Sequence, residues 1–197
     1  RIVHNKSRLN QGVPVFFFEH FVFWAPGVFN KLGVVYATKL FFEQLEQYKI
    51  HIIGVTGTKG KGTTCALIYQ MLKNASYKTI LAGNMGKPML TVLNQAKHAD
   101  YIVLELSSFQ LQDMTTSPDI AVIVDVFPDH LDAHTNVAEY YRAKARIGLY
   151  QKRFDKIFFF ANNPAGTRIA SLSKAKKYPV MPRENNLMKN RQMASAV

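Results

Sequence analysis

From position 50 onward, apolar residues come in short, nearly unbroken runs separated by stretches of helical spacing. The runs IHIIGV (50–55), YIVLEL (101–106), IAVIVDV (120–126) and KIFFF (156–160) lack the alternation of a half-exposed strand, which is the pattern of strands buried on both faces. Strands are expected at 50–55, 78–82, 101–106, 120–126 and 156–160, with a weaker one at 178–181. Helices are expected at 62–74, 87–97, 137–150, 164–172 and 186–197. This order predicts an α/β fold, a mostly parallel sheet flanked by helices. Ahead of it, KLFFEQLEQY (39–48) places apolar residues at 41, 42, 45 and 48, the spacing of a helix leading into the first strand. The aromatic run VPVFFFEHFVFW (13–24) contains Pro14, Glu19 and His20. It reads as a buried strand with its continuation, since a membrane span needs roughly 18 apolar residues without interruption.

One stretch carries a chemical signature. In KIHIIGVTGTKGKGTTCALIYQML (49–72) a β-branched strand runs into a glycine-rich loop with two lysines, and a helix pattern follows at once. Strand, Gly-rich loop and helix in that order cradle phosphates. Glycines let backbone amides approach an anion, and the helix N-terminus adds roughly half a positive charge at the same point. Lys61 supplies a full one.

In parallel α/β sheets, ligands bind beyond the carboxyl ends of the strands, so the residues that follow each strand matter most. After the second strand comes AGNMGKP (82–88), a tight turn in which Asn84 offers a short polar side chain and Pro88 suits a helix start. After the third comes ELSSFQ (105–110). Glu105 lies inside an apolar strand, where a carboxylate is costly unless paired with a cation or metal; Ser107 and Ser108 suit a helix cap or a phosphate contact. After the fourth comes DVFPDHLDAH (125–134), with two His and three Asp in ten residues, a composition suited either to a divalent ion or to a turn with a helix cap. In EYYRAKARI (139–147), Tyr140, Lys144 and Ile147 share a helix face, which puts Lys144 on the more apolar side. Taken alone, such a lysine snorkels to the surface.

Composition narrows the setting. Apolar residues make up 48% of the 197, enough for a sizeable core. The net charge of +12 calls for acidic partners, which include nucleic acid, anionic lipid and phosphorylated metabolites. The basic residues are scattered or gathered at 168–191 rather than interleaved with exposed aromatics, which argues against a nucleic-acid partner. The single Cys65 excludes an internal disulfide framework and a multi-cysteine zinc site, and fits a reducing cytoplasm. The chain begins at Arg1 and shows no signal-peptide arrangement, so the start reads as cut rather than processed.

The motifs GVTGTKGKGTT, AGNMGKPML, VLELSSFQL, FPDHLDAH and EYYRAKARI resemble, in the same order, the ATP-binding central domain of the Mur ligases, and the third is most similar to that of the D-glutamate-adding members. The resemblance covers residues 50–197 and extends faintly to APGV (25–28). It implies an ATP-dependent amide-forming ligase that adds D-glutamate to UDP-N-acetylmuramoyl-L-alanine through an acyl phosphate, in peptidoglycan synthesis. It further implies a cytoplasmic monomer with ATP and Mg2+ as cofactors, small-molecule substrates, and no nucleic-acid or membrane partner. Residues 1–48 would be the remnant of a uridine-nucleotide-binding domain with its linker. Residues 49–197 would be the central domain, short at its C-terminal end, and the amino-acid-binding third domain would be absent.

Residue by residue, the resemblance gives Gly57, Thr58, Lys59, Gly60, Lys61, Gly62, Thr63 and Thr64 to the phosphates of ATP, and Asn186 and Asn190 to adenine. Asn84 and Ser107 would face the uridine-nucleotide substrate. Thr63, Glu105 and His130 would place magnesium, and Lys144, as a carbamate, would hold a second ion. Lys61, His130 and Lys144 would be the catalytic groups. Gly62 stands where the family has a Ser or Thr hydroxyl, Lys59 and Asp125 where it often has Asn, and Asn186 and Asn190 are four apart rather than three. A sister ligase such as folylpolyglutamate synthase and a catalytically silent nucleotide-binding module are the alternatives.

Overall fold

A computed structural model describes residues 37–128 and 136–181. Helix α1 (Ala37–Leu45) leads to strand β1 (His51–Thr56), helix α2 (Lys61–Asn74) and strand β2 (Thr79–Gly83). A 3-10 turn (Met89–Val92) runs into the short helix α3 (Leu93–Ala96). Strand β3 (Tyr101–Glu105), helix α4 (Ser108–Leu111) and strand β4 (Ile120–Ile123) follow. The chain then forms α5 (Val137–Leu149), β5 (Lys156–Phe160), α6 (Pro164–Ser171) and β6 (Lys176–Val180). The six strands form one sheet in the order β2-β3-β1-β4-β5-β6, and every adjacent pair is parallel. This is the α/β architecture expected from the unbroken apolar runs.

The two-residue period of a strand divides those runs between two cores. Ile52, Ile102, Leu104 and Ile157 face one side with Phe41 of α1 and Tyr140 and Ile147 of α5. Ile53, Val55 and Val103 face the other with Cys65 of α2. Caps fix where the helices begin. The Asn136 side chain accepts from the Glu139 amide, and Asn163 accepts from Gly166 just ahead of Pro164 at the first helical position, each satisfying a donor that the helix itself cannot. Asn163 also donates to the Val126 carbonyl, so the start of α6 is tied to the segment leaving β4.

At the far edge, β6 (KKYPV) is exposed along most of its length. Tyr178 stacks on Phe158 at 4.8 Å between ring centroids. The Lys176 amide donates to Asp155 and the Val180 carbonyl accepts from Ala161, so positions 176 and 180 turn their backbone groups toward β5.

Four expectations are corrected. The helix expected at 87–97 is a 3-10 turn and one turn of α-helix, because Lys87 is held in an isolated bridge with Ala82 and Pro88 stays extended. The strand expected at 120–126 ends at Ile123, since β1 beside it ends at Thr56; the Val124 amide takes the last ladder bond, to the Thr56 carbonyl. The edge strand expected at 178–181 lies at Lys176–Val180. The expected helix at 39–48 starts two residues earlier and ends at Leu45. The helix at 186–197 and the readings at 13–24 and 25–28 lie outside the described residues. Among the described residues, no helix is long and apolar enough to cross a membrane.

Candidate functional site

The strand order puts β1 between β3 and β4, so the segments leaving these three strands converge at one end of the sheet. The segment leaving β1 is the glycine-rich loop, and α2 begins directly after it. Its N-cap is Gly60, which has no side chain to accept a bond from the first turn, and the opening amides of a helix have no partner within it. The Thr58 amide, in contrast, donates to the Asp125 carbonyl at 2.6 Å, and the Lys59 amide donates to the same oxygen at 3.4 Å. Anion-binding capacity therefore lies at the start of α2 rather than in the middle of the loop. Lys61 stands at that start, its Nζ donating to the Thr58 carbonyl at 3.0 Å.

Two residues of α5 support the loop from beneath. Lys144 is 2% exposed, and its Nζ donates to the Gly57 carbonyl at 2.9 Å while lying 4.6 Å from the centre of the Tyr140 ring. The shared face of Tyr140, Lys144 and Ile147 thus turns inward, and the lysine is buried rather than snorkelling. A cavity of about 30 Å³ opens between Gly57, Lys61, Ser107, Phe109, Tyr140 and Lys144, so three stretches of the chain, 57–61, 107–109 and 140–144, meet at one point. A larger groove of about 760 Å³ lies at the opposite, amino ends of the strands, beside Ile50, Asp119 and Asp155. That is not the end at which parallel sheets hold ligands.

Glu105 is the last residue of β3 and is 6% exposed. Asn84 donates to its Oε1 at 3.0 Å, and the Asn84 amide donates to its carbonyl, so the turn after β2 orients the carboxylate. The other carboxylate oxygen faces the start of α2, where a Cβ added at Gly62 would lie 3.3 Å from it and 3.1 Å from Met85 Sδ. Thr63 is exposed on the next position of the helix. Ser107 caps α4, accepting from the Gln110 amide while the Gln110 side chain accepts from the Ser107 amide. Of the two roles its position suited, Ser107 thus fills that of a helix cap. His130, Asn186 and Asn190 lie outside the described residues.

Cys65 is buried on the inner face of α2. Burial, then the Glu105 carboxylate, push its thiol up to about 12, against a smaller downward pull from Lys61. Because only the thiolate is nucleophilic, Cys65 is expected to resist a disulfide-exchange reagent at pH 8 in the native protein and to react on unfolding. Labelling of the folded chain at the rate of a free thiol would contradict this placement.

Neither the Thr58 hydroxyl as a structural contact nor the Tyr140 hydroxyl is legible in the sequence. Both belong to bonds that span more than sixty residues, and nothing in local spacing signals them.

Residues 55–192 match the Mur ligase middle domain. The chain is 46% identical over 123 residues to the UDP-N-acetylmuramoylalanine–D-glutamate ligase of Acetivibrio thermocellus, covering 62% of this chain and 26% of that protein. It is 36% identical over 152 residues to the enzyme of the same name from Clostridium kluyveri, covering 76% and 33%. The chain therefore spans about a quarter to a third of the length of these relatives. Among solved structures, the MurF ligase of Thermotoga maritima in complex with ADP superposes with a TM-score of 0.59 at 22% identity, over 88% of this chain and 40% of that one.

Proposed function

The chain belongs to the Mur ligase family through the middle domain, and from that premise we propose that it is the ATP-binding part of a ligase that adds D-glutamate to UDP-N-acetylmuramoyl-L-alanine through an acyl phosphate. The observation that carries this reading is the meeting of Lys61, the unpartnered start of α2 and the buried carboxylate of Glu105 at the carboxyl end of β1 and β3. The identities to D-glutamate ligases support the choice of amino acid.

ATP, when bound, supplies the phosphoryl group that makes the substrate carboxylate reactive. The work of the chain is then to hold a polyanion still and offset its charge. The amides of Gly62 and Thr63 and the ammonium of Lys61 would offer donors to the phosphates, with Lys61 exchanging its bond to the Thr58 carbonyl for them. Glu105, held by Asn84, would offer a hard oxygen.

That donor set fits magnesium. Among the described residues, no group of three or more His, Cys, Asp or Glu is gathered for a metal, and Mg2+ characteristically takes one or two carboxylates, with substrate phosphates and waters completing its shell. Glu105 would be the protein ligand, joined by Thr63 and His130. Gly62 supplies no hydroxyl, so the carboxylate faces the opening of α2 directly. Lys144, in contact with the Gly57 carbonyl, would hold a second ion only after conversion to a carbamate.

The test is a coupled assay of the full protein with ATP, Mg2+, UDP-N-acetylmuramoyl-L-alanine and D-glutamate. One phosphate is expected for each amide formed, and none when D-glutamate is replaced by L-glutamate. Equal turnover with both amino acids, or product without ATP, would refute the reading.

A further inference from the structure

Resting on the nucleotide reading above, we infer that Thr58 is a positioning residue, whose hydroxyl locks the phosphate loop to the segment leaving β4 and thereby sets the loop's shape for nucleotide. Its Oγ1 makes three contacts. It lies 2.8 Å from the Phe127 carbonyl, 2.9 Å from the Phe127 amide nitrogen and 2.8 Å from the Tyr140 hydroxyl.

Proton counting assigns each bond. A carbonyl has no hydrogen to give, so the Phe127 oxygen must accept the single proton of Thr58. The Phe127 amide donates to Thr58, and the Tyr140 hydroxyl must donate as well. The threonine hydroxyl is then saturated, giving one bond and receiving two, which fixes its rotamer and the loop peptide that carries it.

The lock is reinforced from three sides. The Thr58 and Lys59 amides donate to the Asp125 carbonyl, so Asp125 and Phe127 hold the loop by backbone groups that a strand would otherwise use in its ladder. Tyr140 is 1% exposed, and its ring lies against the Lys144 ammonium, which itself holds Gly57. Thr58 is also the residue whose carbonyl receives Lys61. Displacing it moves the resting partner of the phosphate-binding lysine.

In this arrangement the Thr58 hydroxyl is fully committed to Phe127 and Tyr140. Its contribution to nucleotide binding is through loop geometry rather than through contact with phosphate.

The test compares Thr58→Val, which keeps the shape and removes the hydroxyl, with Thr58→Ser, which keeps the hydroxyl. MgATP affinity is measured by calorimetry and stability by thermal unfolding, with Lys61→Ala as a control. Thr58→Val is expected to bind about tenfold more weakly, Thr58→Ser within about threefold of the wild type, and Tyr140→Phe between the two. Hydrogen exchange at the Phe127 amide, which needs no nucleotide, should speed up in Thr58→Val and recover in Thr58→Ser. Wild-type affinity in Thr58→Val, equal weakening by Val and Ser, or unchanged exchange at Phe127 would each overturn the inference. A wild-type chain that binds MgATP no better than Lys61→Ala would overturn the nucleotide reading itself, and this inference with it.

Discussion

Lys61→Ala is expected to lose at least about a hundredfold in ATP affinity, about 2.7 kcal/mol, while leaving the fold in place. The two halves of this expectation have separate grounds. Without nucleotide, the ammonium makes one bond, to the Thr58 carbonyl, in a partly exposed setting, and such a bond to a charged group is worth at most about 1.5–3 kcal/mol. Alanine is also well suited to the first turn of α2. In the proposed nucleotide complex, the same ammonium would face phosphate oxygens across a charge-assisted bond, and such bonds are roughly twice as strong as neutral ones. No amide at the start of α2 can replace a full charge. Calorimetric titration with MgATP, alongside urea unfolding, separates the two effects. Unchanged affinity would remove Lys61 from the phosphate site, and a large loss of stability would mean that its role is structural.

The second large effect falls on the fold. Gly83 closes β2 with φ at +106°, and a Cβ there would lie 2.3 Å from the carbonyl oxygen of Glu105 and 3.1 Å from its amide nitrogen. Both are backbone atoms of the neighbouring strand, so no side-chain rotation relieves the clash. Strain at a positive φ costs roughly 1–3 kcal/mol, and overpacking against fixed atoms adds about 1–3 kcal/mol. Gly83→Ala is therefore expected to destabilise the protein by about 3 kcal/mol or more, read as a lower urea midpoint with an unchanged slope. A loss below about 1 kcal/mol would show that β2 and β3 are not held as closely as Gly83 requires. Because Asn84 follows at once and orients Glu105, the damage should extend to nucleotide binding in whatever fraction remains folded.

Local spacing carried most of the architecture. The apolar run at 50–55 lies within a residue of β1, which is central and buried from its second residue on, and the run at 156–160 coincides with β5, although there only Ile157 and Phe159 are buried. The helix face that carries Lys144 was legible from Tyr140 and Ile147, but its burial was not, because the bond to the Gly57 carbonyl that holds it inside comes from a residue 87 positions away. Pattern failed where long-range bonds outweigh periodicity. Asn84 looked like a free polar residue in a turn, yet its amide is committed to a carboxylate twenty-one positions away. Ser107 was legible as a helix cap or phosphate contact, but its reciprocal bond with Gln110 was not, since a four-residue helix is too short to leave a period. At 87–97 the expected helix gave way to the bridge between Lys87 and Ala82, which no spacing along one segment reveals.

The edge strand β6 has a consequence for how the protein behaves at high concentration. With Lys176 and Val180 turned toward β5, the alternation of a strand turns Lys177 and Pro179 outward. Proline has no amide hydrogen, so of those two outward positions only Lys177 presents a donor to a strand arriving from solvent. Two adjacent lysines also repel a second copy of the same positively charged edge. Among the described residues, KKYPV thus guards this edge of the sheet against edge-to-edge pairing, on the side remote from the glycine-rich loop.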